Sequence, residues 1–286
     1  MTSRLWLLYA IITTVFWGVW GAFIEIPEKA GFPATLGYTV WALTMIPCAL
    51  VALKIVKFKL EYDVRSIFLG STVGFLGAGG QLILFDALRT GPAYLVFPIV
   101  SMYPVLTVIL SATLLRERTG RRSWTGIVLA FPAIFLLSYQ PPGSSAAHGF
   151  AWLFLTLGVA VAWGVQAYVM KFANRTMRAE SIFFYMMATA VALIPFAIAM
   201  TDFSVWINWG FKGPYLAALI QVLNSIGALT LVFALRYGKA IVVVPMTALA
   251  PMLTVIISLI LYQVIPHPLV IVGLILAAIA MLLMAE

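Results

Sequence analysis

Ten runs of about 20 residues, long enough to cross a bilayer core as helices, pass through this chain almost without charge: 5–24, 34–53, 66–88, 92–115, 123–139, 149–170, 181–200, 213–235, 240–262 and 268–285. Asp86, near one end of the third run, is the one charge inside them. Lipid permits helices or closed β-barrels, because every backbone group must be bonded internally. Barrel strands alternate apolar and polar residues over about 10 positions. These runs are continuous and twice as long, so the expected fold is an all-α integral membrane protein of ten transmembrane helices. Composition agrees: 64% of the residues are hydrophobic and 9% charged, against about 45–50% and 25% in soluble domains.

The net charge of +8 resolves into a topology signal when sorted by connection. On the side of the N-terminus lie Arg4, Lys54, Lys57, Lys59, Arg65, Arg116, Arg118, Arg121, Arg122, Lys171, Arg175, Arg178, Arg236 and Lys239, 14 of the 17 basic residues. The other side has Lys29, Arg89 and Lys212. Basic residues near span ends stay cytoplasmic, so both termini are expected in the cytoplasm, in a cell membrane. The bilayer is the expected partner, with anionic headgroups incidental to it, and a nucleic acid is not. Cys48, the single cysteine, lies in the second run and excludes an intrachain disulfide. The first run is too long for a signal-peptide core and no small-residue cleavage site follows it.

The chain repeats itself. At a shift of 147, residues 85–137 and 232–284 share 19 identities over 53 ungapped positions. Ala87-Leu88-Arg89 matches Ala234-Leu235-Arg236, Gly91 matches Gly238, and Leu106-Thr107-Val108-Ile109 matches Leu253-Thr254-Val255-Ile256. Pro98 and Pro104 match Pro245 and Pro251; at a shift of 146, Trp17-Gly18-Val19 matches Trp163-Gly164-Val165. The expected domains are a five-helix repeat over 1–140 and a second over 148–286. With five spans each, the second enters the membrane inverted. Inverted repeats are a construction of secondary transporters, which rock two halves about a midplane site.

These segments resemble the EamA-like family of the drug/metabolite transporter superfamily over essentially the whole chain. The resemblance rests on Trp17-Gly18 and Trp163-Gly164, on the Ala-Leu-Arg-x-Gly-x-Ala…Pro…Pro run in both halves, and on Leu114-Leu115-Arg116-Glu117-Arg118 with Gly126. Two positions depart from the family pattern: Glu25 stands where Lys171 carries the expected lysine, and Val264 is the counterpart of Glu117. The resemblance implies a carrier of small organic metabolites such as amino acids, with export favoured over uptake.

Mid-helix prolines remove a backbone bond and are tolerated in lipid where neighbours or a cavity satisfy the freed group. Pro98, Pro104, Pro245 and Pro251 are therefore expected to kink spans four and nine beside the pathway. In span three, Gly70, Gly74 and Gly77 share one helical face, which allows either close packing or room for substrate. The second half places Gln221 and Asn224 opposite Gly74 and Gly77. The expected cavity residues are Gln221, Asn224, Trp17, Trp20, Gln81, Tyr103, Trp163, Gln166 and Tyr168. For each aromatic, the competing reading is an interfacial anchor. Spans 1, 3, 4, 6, 8 and 9 are expected around the path, and spans 5 and 10 outside it as supports or a homodimer contact.

No acid or histidine falls near a midplane, where ion-coupled carriers commonly keep one. Asp86 and Arg89 are spaced for a local ion pair. Glu25 and Lys171 end their helices on opposite sides, to gate or to mark the interface. His148 and His267 lie in connections with no metal-ligand cluster, and no acid–base pair or activated nucleophile is visible. Catalytic residues, metal and cofactor are therefore not expected. A flippase for a lipid or lipid-linked sugar, and a non-transporting scaffold or sensor, are the alternatives to a carrier.

Overall fold

The computed structural model describes residues 4–139, 150–262 and 267–285, and within them each of the ten runs is helical and no strand occurs. The first repeat contains α1 (Leu5–Phe23), α2 (Glu25–Lys29), α3 (Ala34–Ile55), α4 (Val64–Gly74), α5 (Gly80–Thr90), α6 (Ala93–Val100), α7 (Tyr103–Thr113) and α8 (Arg121–Leu137). The second contains α9 (Ala151–Ala173), α10 (Ala179–Ala192), α11 (Ile194–Ala199), α12 (Leu216–Tyr237), α13 (Ala240–Thr247), α14 (Ala250–Tyr262) and α15 (Pro268–Met284). A π-helical turn, Phe75–Gly79, joins α4 to α5, and another, Phe211–Tyr215, leads into α12.

Joined end to end, these elements make eight helices long and apolar enough to cross a membrane among the described residues, where ten were expected. The other two runs, α8 and α15, form helices of 17 residues. At 1.5 Å per residue each reaches about 25 Å, just short of a ~30 Å hydrocarbon core. Their starts explain the length: α8 begins after Gly120 in extended backbone, and α15 begins at Pro268. His148, Val264 and Pro266 lie outside the described residues.

Successive crossings alternate in direction. The ends of α3, α7, α9 and α12 share one face with the start of α1; this is called the terminal face, and the opposite one the far face. Span four divides into α6 and α7 at Ser101–Met102, and span nine into α13 and α14 at Ala248–Leu249, equivalent positions at the shift of 147. Pro104 and Pro251 stand in the first turn of the second segment, where the missing N–H costs nothing. Pro98 and Pro245 lie inside the first segments.

Loops on both faces dock through equivalent positions. Glu61 accepts from Arg178 N and from Ser181 Oγ, and pairs with Arg178 Nε at 3.3 Å, so the 56–63 loop caps α10. Its counterpart Asn208 donates from N to Gly31 O at 3.0 Å and from Nδ2 to Ala30 O at 2.9 Å, fixing the turn before α3. α8 and α15 pack on each other through Gly126, against Ala280 O, and Gly273, against Leu137 N.

Asp63 caps α4, accepting from Ser66 N at 3.1 Å. The Ser66 hydroxyl and then its amide hold the Asp63 carboxyl below its ordinary value. A depressed folded-state pKa contributes stability above the ordinary carboxylate range and loses it as pH falls. Asp63→Asn is therefore expected to unfold at a lower temperature than wild type near neutral pH, with the gap closing in acid. Thermal unfolding of both proteins across pH checks this.

Candidate functional site

The repeated Trp-Gly pair fastens each half to the other. Trp17 Nε1 donates to Asn224 O at 3.3 Å, and Trp163 Nε1 donates to Gly77 O at 3.2 Å. Each indole lies on a glycine three residues further along the same helix: a Cβ at Gly227 would sit 2.5 Å from Trp17, and one at Gly80 2.6 Å from Trp163. The adjoining glycines dock on the broken helices. A Cβ at Gly18 would fall 2.5 Å from Leu253 Cβ, and one at Gly164 would fall 2.9 Å from Leu106 Cβ. The carbonyls of Gly18 and Gly164 accept from Thr254 and Thr107, both at 2.9 Å. Thus α1 is fixed to α12 and α14, and α9 to α5 and α7, by equivalent residues.

One turn on, the halves diverge. Trp20 Nε1 donates to Gln221 Oε1 at 3.0 Å, Asn224 Nδ2 reaches the same oxygen at 3.4 Å, and Gln221 Nε2 donates to Gly37 O at 3.3 Å. In the other half, Gln166 Nε2 donates to Val73 O at 3.1 Å. Of the two readings of the glycine face, close packing is the one that its neighbours fit. Gln166 occupies the space over Gly77, Thr189 and Met186 that over Gly74, and Tyr185 that over Gly70. The stripe serves close helix packing, because long side chains on α9 and α10 lie across it.

The structure gathers Trp17, Trp20, Gln221 and Asn224 between α1 and α12. It gathers Trp163, Gln166 and Tyr103 along α9, with the Tyr103 and Trp163 rings edge-to-face at 6.0 Å. Gln81 and Tyr168 make no hydrogen bond or ring contact with either group among the described residues. The indole N–H groups of Trp17, Trp20 and Trp163 are spent on the scaffold. Among the described residues, Asn224 Oδ1, Gln166 Oε1 and the Tyr103 and Tyr168 hydroxyls carry no hydrogen bond, nor does the Gln81 amide. These half-buried groups retain uncharged hydrogen-bonding capacity.

The two ends of this symmetric scaffold differ. On α12, toward the terminal face, Ala228, Val232 and Leu235 are buried; their counterparts on α5 toward the far face, Gln81, Phe85 and Leu88, are only half-buried. All of α13 is buried, whereas its counterpart α6 exposes Leu95 and half-exposes Phe97 and Ile99.

A polar network accompanies the more buried end. Lys171 Nζ donates to Leu235 O at 2.8 Å and to Gly238 O, and lies 3.9 Å from Glu117 Oε1. Glu117 Oε2 accepts from Ile241 N at 3.0 Å. Asn174 Nδ2 donates to Val232 O at 3.1 Å, and Arg236 Nη1 to Met177 O at 3.0 Å. These bonds tie α9, α12, α13 and the 114–120 loop together. At the far face Glu25 pairs with Lys29 within α2, and Arg89 with Asp86 within α5, the latter at 2.7 Å. Sequence reasoning marked Lys171 as a gate candidate but missed Asn174 and Arg236. Their position one turn either side of the span ends was the available signal.

The comparisons with known proteins follow this two-part geometry. The family model described as the EamA-like transporter family matches residues 4–139 and again 150–285. The chain belongs to the EamA-like transporter family. The two matched stretches are the ones that the Trp-Gly contacts fasten together. An uncharacterized protein of Methanocaldococcus jannaschii is 32% identical over 132 residues, 46% of this chain and 95% of its own length, so that relative is about the size of one EamA-like repeat. Protein LicB of Haemophilus influenzae is 22% identical over 208 residues, 69% of this chain and 70% of its own length. A crystal structure of another protein superposes with a TM-score of 0.74 at 18% identity, covering 96% of this chain and 97% of that one. That likeness establishes the fold.

Proposed function

We propose that this EamA-like protein is a secondary transporter of small organic solutes without net charge, amino acids among them, working by alternating access. In this reading all ten runs cross the cell membrane, including the 17-residue α8 and α15, and both termini are cytoplasmic. The observation that carries it is the unequal burial of equivalent residues at the two ends. A scaffold built from inverted repeats can exchange the two arrangements, closing the far face as the terminal face opens. The conformation described is then the outward-facing one. Substrate is held between the α1–α12 and α9–α5 contacts by groups that the scaffold leaves unspent, chiefly Asn224 Oδ1, Gln166 Oε1 and the Tyr103 hydroxyl. Uncharged donors and acceptors beside indole faces suit a solute with polar and apolar parts, and leave a net charge uncompensated.

Reconstitution in proteoliposomes tests the proposal. Saturable, selective flux of labelled amino acids and metabolites with trans-stimulation is expected, and its response to a pH gradient identifies coupling. Absence of flux across a broad panel, from folded protein, would turn the reading toward a lipid-linked substrate. Asn224→Ala removes a hydrogen bond to substrate worth about 0.5–1.5 kcal/mol, so apparent substrate affinity is expected to fall about two- to tenfold. The unfolding temperature should stay near that of wild type, because Asn224 O, which accepts from Trp17, belongs to the backbone. A loss of folding as severe as the loss of transport would assign Asn224 to packing alone.

A further inference from the structure

We propose a binding site for the phosphate of an anionic phospholipid headgroup at the rim of the terminal face, in a cleft of about 280 Å³ formed by α1, α8, α15 and the turn between α12 and α13. Its polar lining is Lys239, Thr119 and Ser123. Lys239 Nζ donates to Arg118 O, which leaves two of the three ammonium protons for a ligand. The Thr119 and Ser123 hydroxyls have no hydrogen-bond partner among the described residues. Several helix hydroxyls elsewhere turn back on the carbonyl four residues earlier, as in Thr14, Thr72, Thr113 and Thr189, while Thr39 and Ser111 are likewise without a partner.

The surroundings are basic. Arg118 on the 114–120 loop and Arg121 at the start of α8 are exposed, while the loop's one acid, Glu117, is turned inward to Lys171 and Ile241 N. Trp6 and Tyr237 flank the cleft, and Val242 and Met284 form its apolar part. Apolar floor, aromatic flank and ammonium at the rim follow the order of a phospholipid from acyl chain to phosphate.

The inverted repeat supplies an internal comparison. The counterparts at the far face are Trp152 for Trp6 and Leu95 for Val242, but Pro92 for Lys239, Val270 for Ser123 and Pro268 for Arg121. The fold thus needs the aromatic and apolar residues at both ends, and the ammonium and hydroxyl at neither. They are an addition to one face. The site also wraps the turn whose Gly238 carbonyl accepts from Lys171, so an occupant would brace the closed end of the pathway.

Free phosphate offers the same chemistry as the headgroup, so the experiment separates the two. Full-length protein in neutral detergent is mixed with phosphatidylglycerol, with phosphatidylcholine of the same acyl chains, or with inorganic phosphate, and retained adducts are counted by native mass spectrometry. Retention of phosphatidylglycerol about tenfold tighter than phosphatidylcholine is expected. The combined Thr119→Ala, Ser123→Ala, Lys239→Gln variant should lose that preference and bind phosphatidylcholine as before; Lys239→Gln alone serves if the combination does not fold. Equal retention of the two lipids, or an unchanged preference in the variant, would overturn the proposal. So would inorganic phosphate binding as tightly as phosphatidylglycerol, which would assign the site to a soluble anion.

Discussion

Lys171→Met is expected to reduce transport at least about tenfold and to leave the protein folded with its terminal face open. Methionine keeps most of the stem volume but donates nothing to Leu235 O or Gly238 O. It also strands Glu117, whose side chain is 7% exposed in this arrangement. Removing one partner of a buried pair costs about 3–5 kcal/mol. That cost falls on the arrangement in which Lys171 holds Leu235 O and Gly238 O and pairs with Glu117. An equilibrium displaced by that amount shifts by about two to four orders of magnitude, and a carrier confined to one state cannot complete its cycle. Adding Glu117→Gln removes the stranded charge while keeping an acceptor for Ile241 N, so the double variant is expected to recover part of the flux. Wild-type flux in Lys171→Met would reduce the pair to an interfacial ornament.

The second large effect concerns folding. Gly18→Ala places a methyl 2.5 Å from Leu253 Cβ and 3.1 Å from Ala250 O; Gly164→Ala places one 2.9 Å from both Leu106 Cβ and Tyr103 O. These neighbours are backbone or the first atom of a side chain, so the helices must separate. Overpacking of this kind costs about 1–3 kcal/mol, and separation also lengthens the bonds from Thr254 and Thr107. Both variants are expected to unfold several degrees below wild type, Gly18→Ala further. Gly79→Ala and Gly158→Ala are the controls: nothing lies within 4 Å of either Cβ position, and alanine favours helix by about 1 kcal/mol. Their unfolding temperatures should equal or exceed that of wild type. Gly77→Ala should behave differently again, since it meets the mobile end of Gln166. It is expected to disturb transport more than stability. Equal thermal stability across all five variants would remove the Trp-Gly pair from its role in holding the halves together.

Much of this architecture is legible in the residues. The apolar runs mark the helices, and the constant offset marks Leu106-Thr107 and Leu253-Thr254, the very residues that receive Gly164 and Gly18. An offset identifies equivalent positions, however, and not the helices that cross. Nothing in the sequence pairs Trp17 with Asn224 or Trp163 with Gly77, because both contacts end on backbone carbonyls. The glycine stripe was ambiguous for a related reason: a missing side chain is visible, but the Gln166 and Thr189 side chains that fill the gap belong to other helices. The length of α8 and α15 turns on where Gly120 and Pro268 start each helix, a local matter that an apolar count overlooks. The unequal ends have their sequence trace in the departures from symmetry, Lys171 against Glu25 and Asn174 against Glu28.

Exchange between the two ends is tested most directly by distances measured at both at once. Spin-label pairs at Ala30 and Thr90 on the far face, and at their counterparts Thr176 and Tyr237 on the terminal face, report the two openings in membrane-reconstituted protein by double electron–electron resonance. The account predicts two distances for each pair with opposed populations. Wild type should favour the short terminal distance and the long far one, and Lys171→Met the reverse. A single distance at each face, unmoved by Lys171→Met or by transported substrate, would contradict it.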